Sequence, residues 1–106
     1  MGFFTQTTKT IDLGGGNTVV LRKATFGDSQ AASSAAMQVK PDATLSLDWP
    51  RYRLELLARC LVSWEGPDFE GRQPTRENVE ALPPKMGSEL ADAVEELGRQ
   101  SANEGN

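Results

Sequence analysis

The stretch from Asp48 to Leu82, DWPRYRLELLARCLVSWEGPDFEGRQPTRENVEAL, decides the predicted fold. Asp48 is a good helix N-cap, and Pro50 falls in the first turn, where a missing backbone N–H does no harm. The apolar residues that follow recur at spacings of three or four: Trp49, Tyr52, Leu56, Cys60 and Trp64. This spacing predicts one amphipathic helix over residues 49–64, which breaks at Gly66-Pro67.

Two more helices are expected after this stretch. Thr75 is a candidate N-cap for a short helix over residues 76–82. A last helix is predicted over residues 84–97, with Gly98 as its C-terminal stop. The remaining residues, 99–106, are polar and are expected to form a flexible tail.

The N-terminal part of the chain predicts a β-hairpin and one helix. Two β-prone runs flank the sequence GGGN at residues 14–17, which predicts an antiparallel hairpin over residues 7–23. Asp28 is a fair N-cap for a helix over residues 28–39, whose apolar positions are mostly alanine. Residues 41–47 are expected to be a linker.

The 106 residues favour one domain, placed at residues 1–98. The predicted fold class is α+β, with the hairpin packed on a bundle of about four helices.

The net charge of −4 and the sequence pI near 4.8 argue against a nucleic-acid partner. No run of about 20 apolar residues is present to cross a membrane. The lone cysteine, Cys60, and the lack of a signal peptide pattern favour the cytosol.

The residue types that most enzymes rely on are scarce. The chain has no histidine, which excludes Ser-His-Asp and Cys-His catalysis and imidazole metal ligands. Cys60 lies within an apolar stripe, where a cysteine behaves as a small hydrophobe. The glycines at 14–16 lack a phosphate-loop pattern, and the acids at 68–70 lack calcium-loop spacing. The sequence therefore predicts no enzyme activity, no cofactor and no metal.

Four segments together resemble the tail assembly chaperones of long-tailed (siphovirus-type) bacteriophages and prophages. They are the hairpin and helix entry IDLGGGNTVVLRKATFGD, the central RLELLARCLVSWEG, the loop phrase DFEGRQPTRENVEALPP and the acidic SELADAVEELG. The resemblance covers most of the chain and depends on the order of these segments. The alanine- and serine-rich residues 30–36 match nothing in particular.

The resemblance implies a role that the composition does not show. Such proteins bind the long tape measure protein and keep it soluble until the tail tube polymerises around it. The family implies the host bacterial cytoplasm, absence from the mature virion, and no catalytic residues to transfer. The tail tube protein is a possible second partner, and self-association is also plausible.

A chaperone of this kind needs an apolar surface that accepts an apolar stripe of its client. We expect part of that surface among six residues of the central stretch and the last helix: Trp49, Tyr52, Leu56, Trp64, Phe69 and Met86. The alternative is that all six belong to the core. Two other functions remain open from the sequence, namely a small virion structural protein, such as a tail completion or connector subunit, and a small cytosolic regulator that binds a host protein.

Overall fold

The computed structural model describes residues 3–104 and has an α+β architecture. An antiparallel hairpin and four helices are present within these residues, which confirms the predicted fold class. The elements, in chain order, are β1 (Thr8–Gly14), β2 (Asn17–Arg22), α1 (Phe26–Ala36), β3 (Met37–Val39), β4 (Leu45–Leu47), α2 (Trp49–Cys60), β5 (Leu61–Glu65), a single 3-10 turn (Pro67–Phe69), α3 (Arg76–Glu80) and α4 (Pro84–Glu104).

The hairpin is part of a three-stranded sheet with the order β1-β2-β5. Both pairings are antiparallel, and the central strand β2 is buried at alternate positions, with Val19 and Leu21 fully inaccessible. A backbone bond of 2.8 Å from Lys23 N to Thr7 O continues the hairpin one residue beyond the ends of its strands. The strands β3 and β4 form a separate two-stranded ribbon between α1 and α2.

The prediction of a helix through residue 64 is wrong, because α2 ends at Cys60 and the chain continues as β5. A bulge near Val62 shifts the register, so that Leu21 pairs with Leu61 while Val20 pairs with Ser63. The bulge turns both Leu61 and Trp64 towards the core, although they are three residues apart. A spacing of three is also the helical spacing, and for this reason the bulged strand resembles a helix in sequence.

The ends of α1 and α4 also differ from the predictions. Thr25, not Asp28, is the N-cap of α1, and the helix ends at Ala36 because the next residues pair as β3. α4 runs through Gly98 to Glu104, since one interior glycine costs only about 1 kcal/mol. The predicted flexible tail is therefore helical in its first part, and residues 105–106 lie outside the described residues.

One apolar core joins the sheet to the helices. Its buried members come from β2, β5, the 3-10 turn and all four helices: Val19, Leu21, Ala32, Leu56, Leu57, Cys60, Leu61, Trp64, Phe69, Val79, Leu90, Val94 and Leu97. α1 contributes only alanine to the buried apolar residues, with Ala32 and Ala36 almost inaccessible. Small side chains let α1 approach α2 closely, but they supply little apolar burial of their own.

A buried carboxylate, Asp28, ties together β2, α1 and α2. Arg22 donates two hydrogen bonds to it, at 2.5 and 3.1 Å, and Arg59 Nε donates a third at 2.9 Å. Asp28 also accepts from the backbone N–H of Thr25, which completes a capping box. These bonds, those from Arg22 above all, hold the pKa of Asp28 well below its usual range despite burial. Asp28 therefore remains charged at neutral pH inside the fold.

A second polar contact fixes the loop after β5 against the hairpin turn. Asn17 Nδ2 donates to Asp68 at 2.8 Å, and the backbone N–H of Asp68 donates back to Asn17 Oδ1 at 3.0 Å. Asn17 Nδ2 also donates to the carbonyl of Gly14, inside the turn itself. This reciprocal pair spans 51 positions of sequence and holds Phe69 over the core.

Candidate functional site

The structure does not bring the six predicted partner-binding residues together on one surface. Trp49 and Tyr52 lie at the start of α2, with ring centroids 5.5 Å apart in an edge-to-face arrangement. Trp64 and Phe69 stack at 4.6 Å beyond the other end of that helix. The first pair belongs to the first four residues of α2, whereas Trp64 lies in β5 and Phe69 in the 3-10 turn that follows it.

Three of the six residues belong to the core. Leu56, Trp64 and Phe69 are each less than a tenth exposed. The Trp64 indole N–H donates to the carbonyl of Arg72 at 2.6 Å, so the polar atom of this side chain also has its partner inside the fold. A client would reach these side chains only if the core opened. Tyr52 and Met86 are partly buried and pack against the core, and Trp49 alone is largely exposed, at 62%.

Further exposed apolar side chains lie on the β3–β4 ribbon, which immediately precedes Trp49 in the chain and which the sequence pattern did not predict. Met37 pairs with Leu47 and Val39 with Leu45, so these four side chains share one face of the ribbon. Val39 is 72% exposed and Leu45 is 66% exposed. Together with Trp49, which follows Leu47 by two positions, the four residues are called the ribbon patch below.

The ribbon is held in shape by hydrogen bonds, although Val39 and Leu45 on its apolar face are about two-thirds exposed. At its base, Asp48 N donates to Ala36 O at 2.9 Å. At its tip, Lys40 N donates to Thr44 O at 2.9 Å, and Asp42 accepts from the Thr44 hydroxyl. A two-stranded ribbon this short is marginal in water, and its large apolar residues are normally buried. The ribbon patch is therefore the strongest candidate for a partner-binding surface.

A period-two pattern in the sequence carries the signal for this ribbon. The triplets MQV at 37–39 and LSL at 45–47 each place a polar residue between two apolar ones, on either side of a turn that contains Pro41 and Asp42. The prediction of a linker at residues 41–47 is wrong for its second half, which is β4. The first triplet also fits the end of a helix, and three residues are too few for the periodicity to decide.

A second surface feature is a cavity of about 520 Å³ between the hairpin turn and the start of α4. It is called the turn cavity below, and it is lined by apolar residues, the turn glycines and one polar pair: Leu13, Gly14, Gly15, Asn17, Asp68, Phe69, Leu82, Pro83 and Met86. Two predicted residues, Phe69 and Met86, meet here. The polar pair is the Asn17–Asp68 contact described above, so the amide of Asn17 is already hydrogen-bonded.

The described residues offer little for metal or covalent chemistry. No group of three or more His, Cys, Asp or Glu side chains able to hold a metal ion occurs within residues 3–104. Burial raises the pKa of the Cys60 thiol to about 11, which keeps it protonated at neutral pH. The nucleophilic thiolate form is thereby suppressed.

Among the helices of the described part of the chain, none has the length and apolar character needed to cross a membrane. Comparison of the chain with protein-family models, with curated proteins and with solved structures found no match.

Proposed function

We propose that this chain is a tail assembly chaperone of a long-tailed bacteriophage. In this role it binds the tape measure protein and keeps it soluble until the tail tube polymerises around it, and it performs no catalysis. It acts in the host bacterial cytoplasm and is absent from the mature virion. The proposal rests on the resemblance of four sequence segments, and one structural observation, the ribbon patch, supports a binding role.

The ribbon patch supports the proposal because its exposure is costly unless a partner covers it. Fully burying a side chain such as Val39 or Leu45 is worth about 1.5–3 kcal/mol. Each is about two-thirds exposed in the free protein, so a client can recover most of that free energy. Long helical clients present apolar stripes that aggregate when unprotected, and the exposed apolar face of the ribbon offers such a stripe a surface to pack on.

The charge distribution supports the same role. Residues 75–106 carry seven acidic and three basic side chains, and the chain as a whole has a net charge of −4. Net charge of one sign keeps a complex apart from other copies of itself. The ribbon patch covers an apolar client segment in this proposal, and the acidic helix α4 keeps the complex dispersed.

Substitution of the ribbon patch tests this proposal. The double variant Val39→Ser with Leu45→Ser is expected to weaken binding of a purified tape measure fragment at least tenfold, because two exposed apolar contacts are lost. Isothermal titration calorimetry measures the affinity. The matched control is Val62→Ser, which changes a half-exposed valine on the other sheet and should leave the affinity unchanged.

Tryptophan fluorescence gives an independent readout. Trp49 is the exposed indole and Trp64 the buried one, so a shift of emission to shorter wavelength on binding should come from Trp49. Absence of both an emission change and co-elution with the fragment would contradict the proposal.

Mass spectrometry of purified virions distinguishes a chaperone from a virion structural protein, since only the structural protein would be found in the virion.

A further inference from the structure

The outer edge of β1 has no partner strand within residues 3–104, since β1 is the end strand of the order β1-β2-β5. β1 is seven residues long, which is above the usual strand length of about five to six. Its first four residues, Thr8 to Ile11, contain no proline, and the one register shift lies nearer the turn, between Asp12 and Gly14. Prolines, bulges and short strands are common protections of an exposed edge, so this part of β1 is open to pairing.

The hydrogen-bonding phase of the hairpin identifies the backbone groups that face outward. Lys23 N donates to Thr7 O at 2.8 Å, and the register of the hairpin places these two residues opposite each other. Along an antiparallel ladder, hydrogen-bonded pairs alternate with non-bonded pairs. The N–H and C=O groups of Thr8 and Thr10 therefore point away from β2. Both residues are exposed, so these four groups are accessible to an added strand.

The side chains beside this edge indicate what an added strand would carry. Ile11 and Leu13 pack against the core but are only partly buried, so apolar residues at alternate positions of that strand would cover them further. Lys9 lies on the same face of β1 and is exposed. The hairpin, residues 7–23, carries three basic side chains and one acidic side chain. A second copy would bring an equally basic hairpin alongside, whereas a foreign strand can place an acidic residue opposite Lys9.

We propose that β1 binds an extended segment of another protein by strand addition. The segment is β-prone, has apolar residues at alternate positions and carries an acidic residue next to Lys9. Backbone hydrogen bonds to Thr8 and Thr10 supply affinity, and the alternating side chains supply selectivity. The site shares no residue with the ribbon patch, so the inference goes beyond the proposed function and concerns a second partner.

A designed peptide tests the inference on the full chain. The probe is a fluorescein-labelled, amidated peptide of about eight residues in which valine alternates with threonine and glutamate. Fluorescence anisotropy measures its affinity. Thr10→Pro removes an outward N–H that makes no bond to β2, and it should weaken binding about tenfold. Thr10→Val is the matched control, because it keeps the N–H and should bind like wild type.

Two N-methylated forms of the peptide give a result specific to strand pairing. One form carries N-methyl groups at the odd positions and the other at the even positions, so each blocks the N–H groups along one edge of the strand. Only the form that is methylated on the edge away from β1 should bind. This comparison leaves the protein unaltered, so it also tests the inference if Thr10→Pro unfolds the hairpin.

Exchange of charge tests the role of Lys9. Lys9→Glu should weaken binding of the glutamate peptide and strengthen binding of a peptide with lysine in its place. Lys40→Glu makes the same change of net charge at the tip of the ribbon, and it should alter neither affinity.

Three results would overturn the inference. The first is failure of the wild-type protein to bind the glutamate peptide, and the second is equal binding of the two methylated forms. The third is association of the free protein that Thr10→Pro abolishes, because the occupant of the edge would then be a second copy. Tape measure binding by Thr10→Pro should be unaffected, which keeps these results separate from the test of the proposed function.

Discussion

Replacing Asp28 with asparagine is expected to lower the free energy of unfolding by about 3 kcal/mol. Asparagine keeps the shape of the side chain but cannot pair as an anion with Arg22 and Arg59. The side chain of Arg22 is only 20% exposed and would be left charged without its partner, whereas that of Arg59 is 48% exposed and regains water. For that reason the expected decrease in the free energy of unfolding lies at the low end of the range observed when one partner of a buried ion pair is removed. Urea unfolding followed by circular dichroism measures the change.

Asp92→Asn provides the matched control for this prediction. Asp92 also pairs with an arginine, Arg53, but its side chain is 67% exposed. Exposed ion pairs contribute about 0–1 kcal/mol, so this variant should unfold close to wild type. Equal losses in the two variants would show that burial of the Asp28 cluster does not govern its contribution.

The same cluster predicts how stability depends on pH. The pKa of Asp28 is depressed in the folded protein, chiefly by the hydrogen bonds from Arg22, and the ordinary value is 3.8. A depressed folded-state pKa stabilises the fold fully above the unfolded-state pKa, and this contribution is lost as pH falls towards the folded-state pKa. The difference in unfolding free energy between wild type and Asp28→Asn should therefore shrink progressively below about pH 4. A difference that stays constant down to pH 2 would contradict the assignment.

Replacing Gly66 with alanine is the second change with a large expected effect, about 3 kcal/mol of destabilisation. Gly66 has φ 139° and ψ 164°, a conformation that is essentially restricted to glycine. A Cβ atom there would lie 2.6 Å from the Cα of Asn17 and 2.8 Å from the carbonyl oxygen of Gly16. Both are backbone atoms of the hairpin turn, so the loop would have to move away from the hairpin. Thermal unfolding measures the loss of stability.

Gly71→Ala separates backbone strain from this steric clash. Gly71 also has a positive φ, +74°, but a Cβ atom there meets nothing within 4 Å. Only the left-handed conformation is penalised, by about 1–2 kcal/mol. If Gly66→Ala were no more destabilising than Gly71→Ala, close packing of the loop on the hairpin turn would be ruled out as the cause.

The starts of elements follow from the sequence better than their ends do. Thr75 and Asp48 accept hydrogen bonds from backbone N–H groups of the helices they precede, and such capping depends on residues three positions apart. The ends at Cys60 and Ala36 depend on pairing with distant strand residues. A local pattern does not contain that information, because tertiary pairing overrides helix propensity.

The candidate partner-binding surface could be predicted only in part. Spacing identifies an apolar side chain but does not say whether another part of the chain covers it. Trp49 and Trp64 look equivalent in the stripe, yet one is exposed at the start of α2 and the other is stacked on Phe69. The sequence pattern did not predict the ribbon patch because its strands are only three residues long. The apolar residues share one face only through the register in which the two strands pair.

The hydrogen bond between Asp48 N and Ala36 O closes the base of the ribbon, so the chain leaves α1 and enters α2 at nearly the same point. The segment from Met37 to Leu47 is consequently an insert whose two ends are already joined. Segments of this kind can be exchanged or shortened without re-routing the helices that flank them. A foreign ribbon can therefore be grafted between α1 and α2 while the rest of the scaffold is preserved.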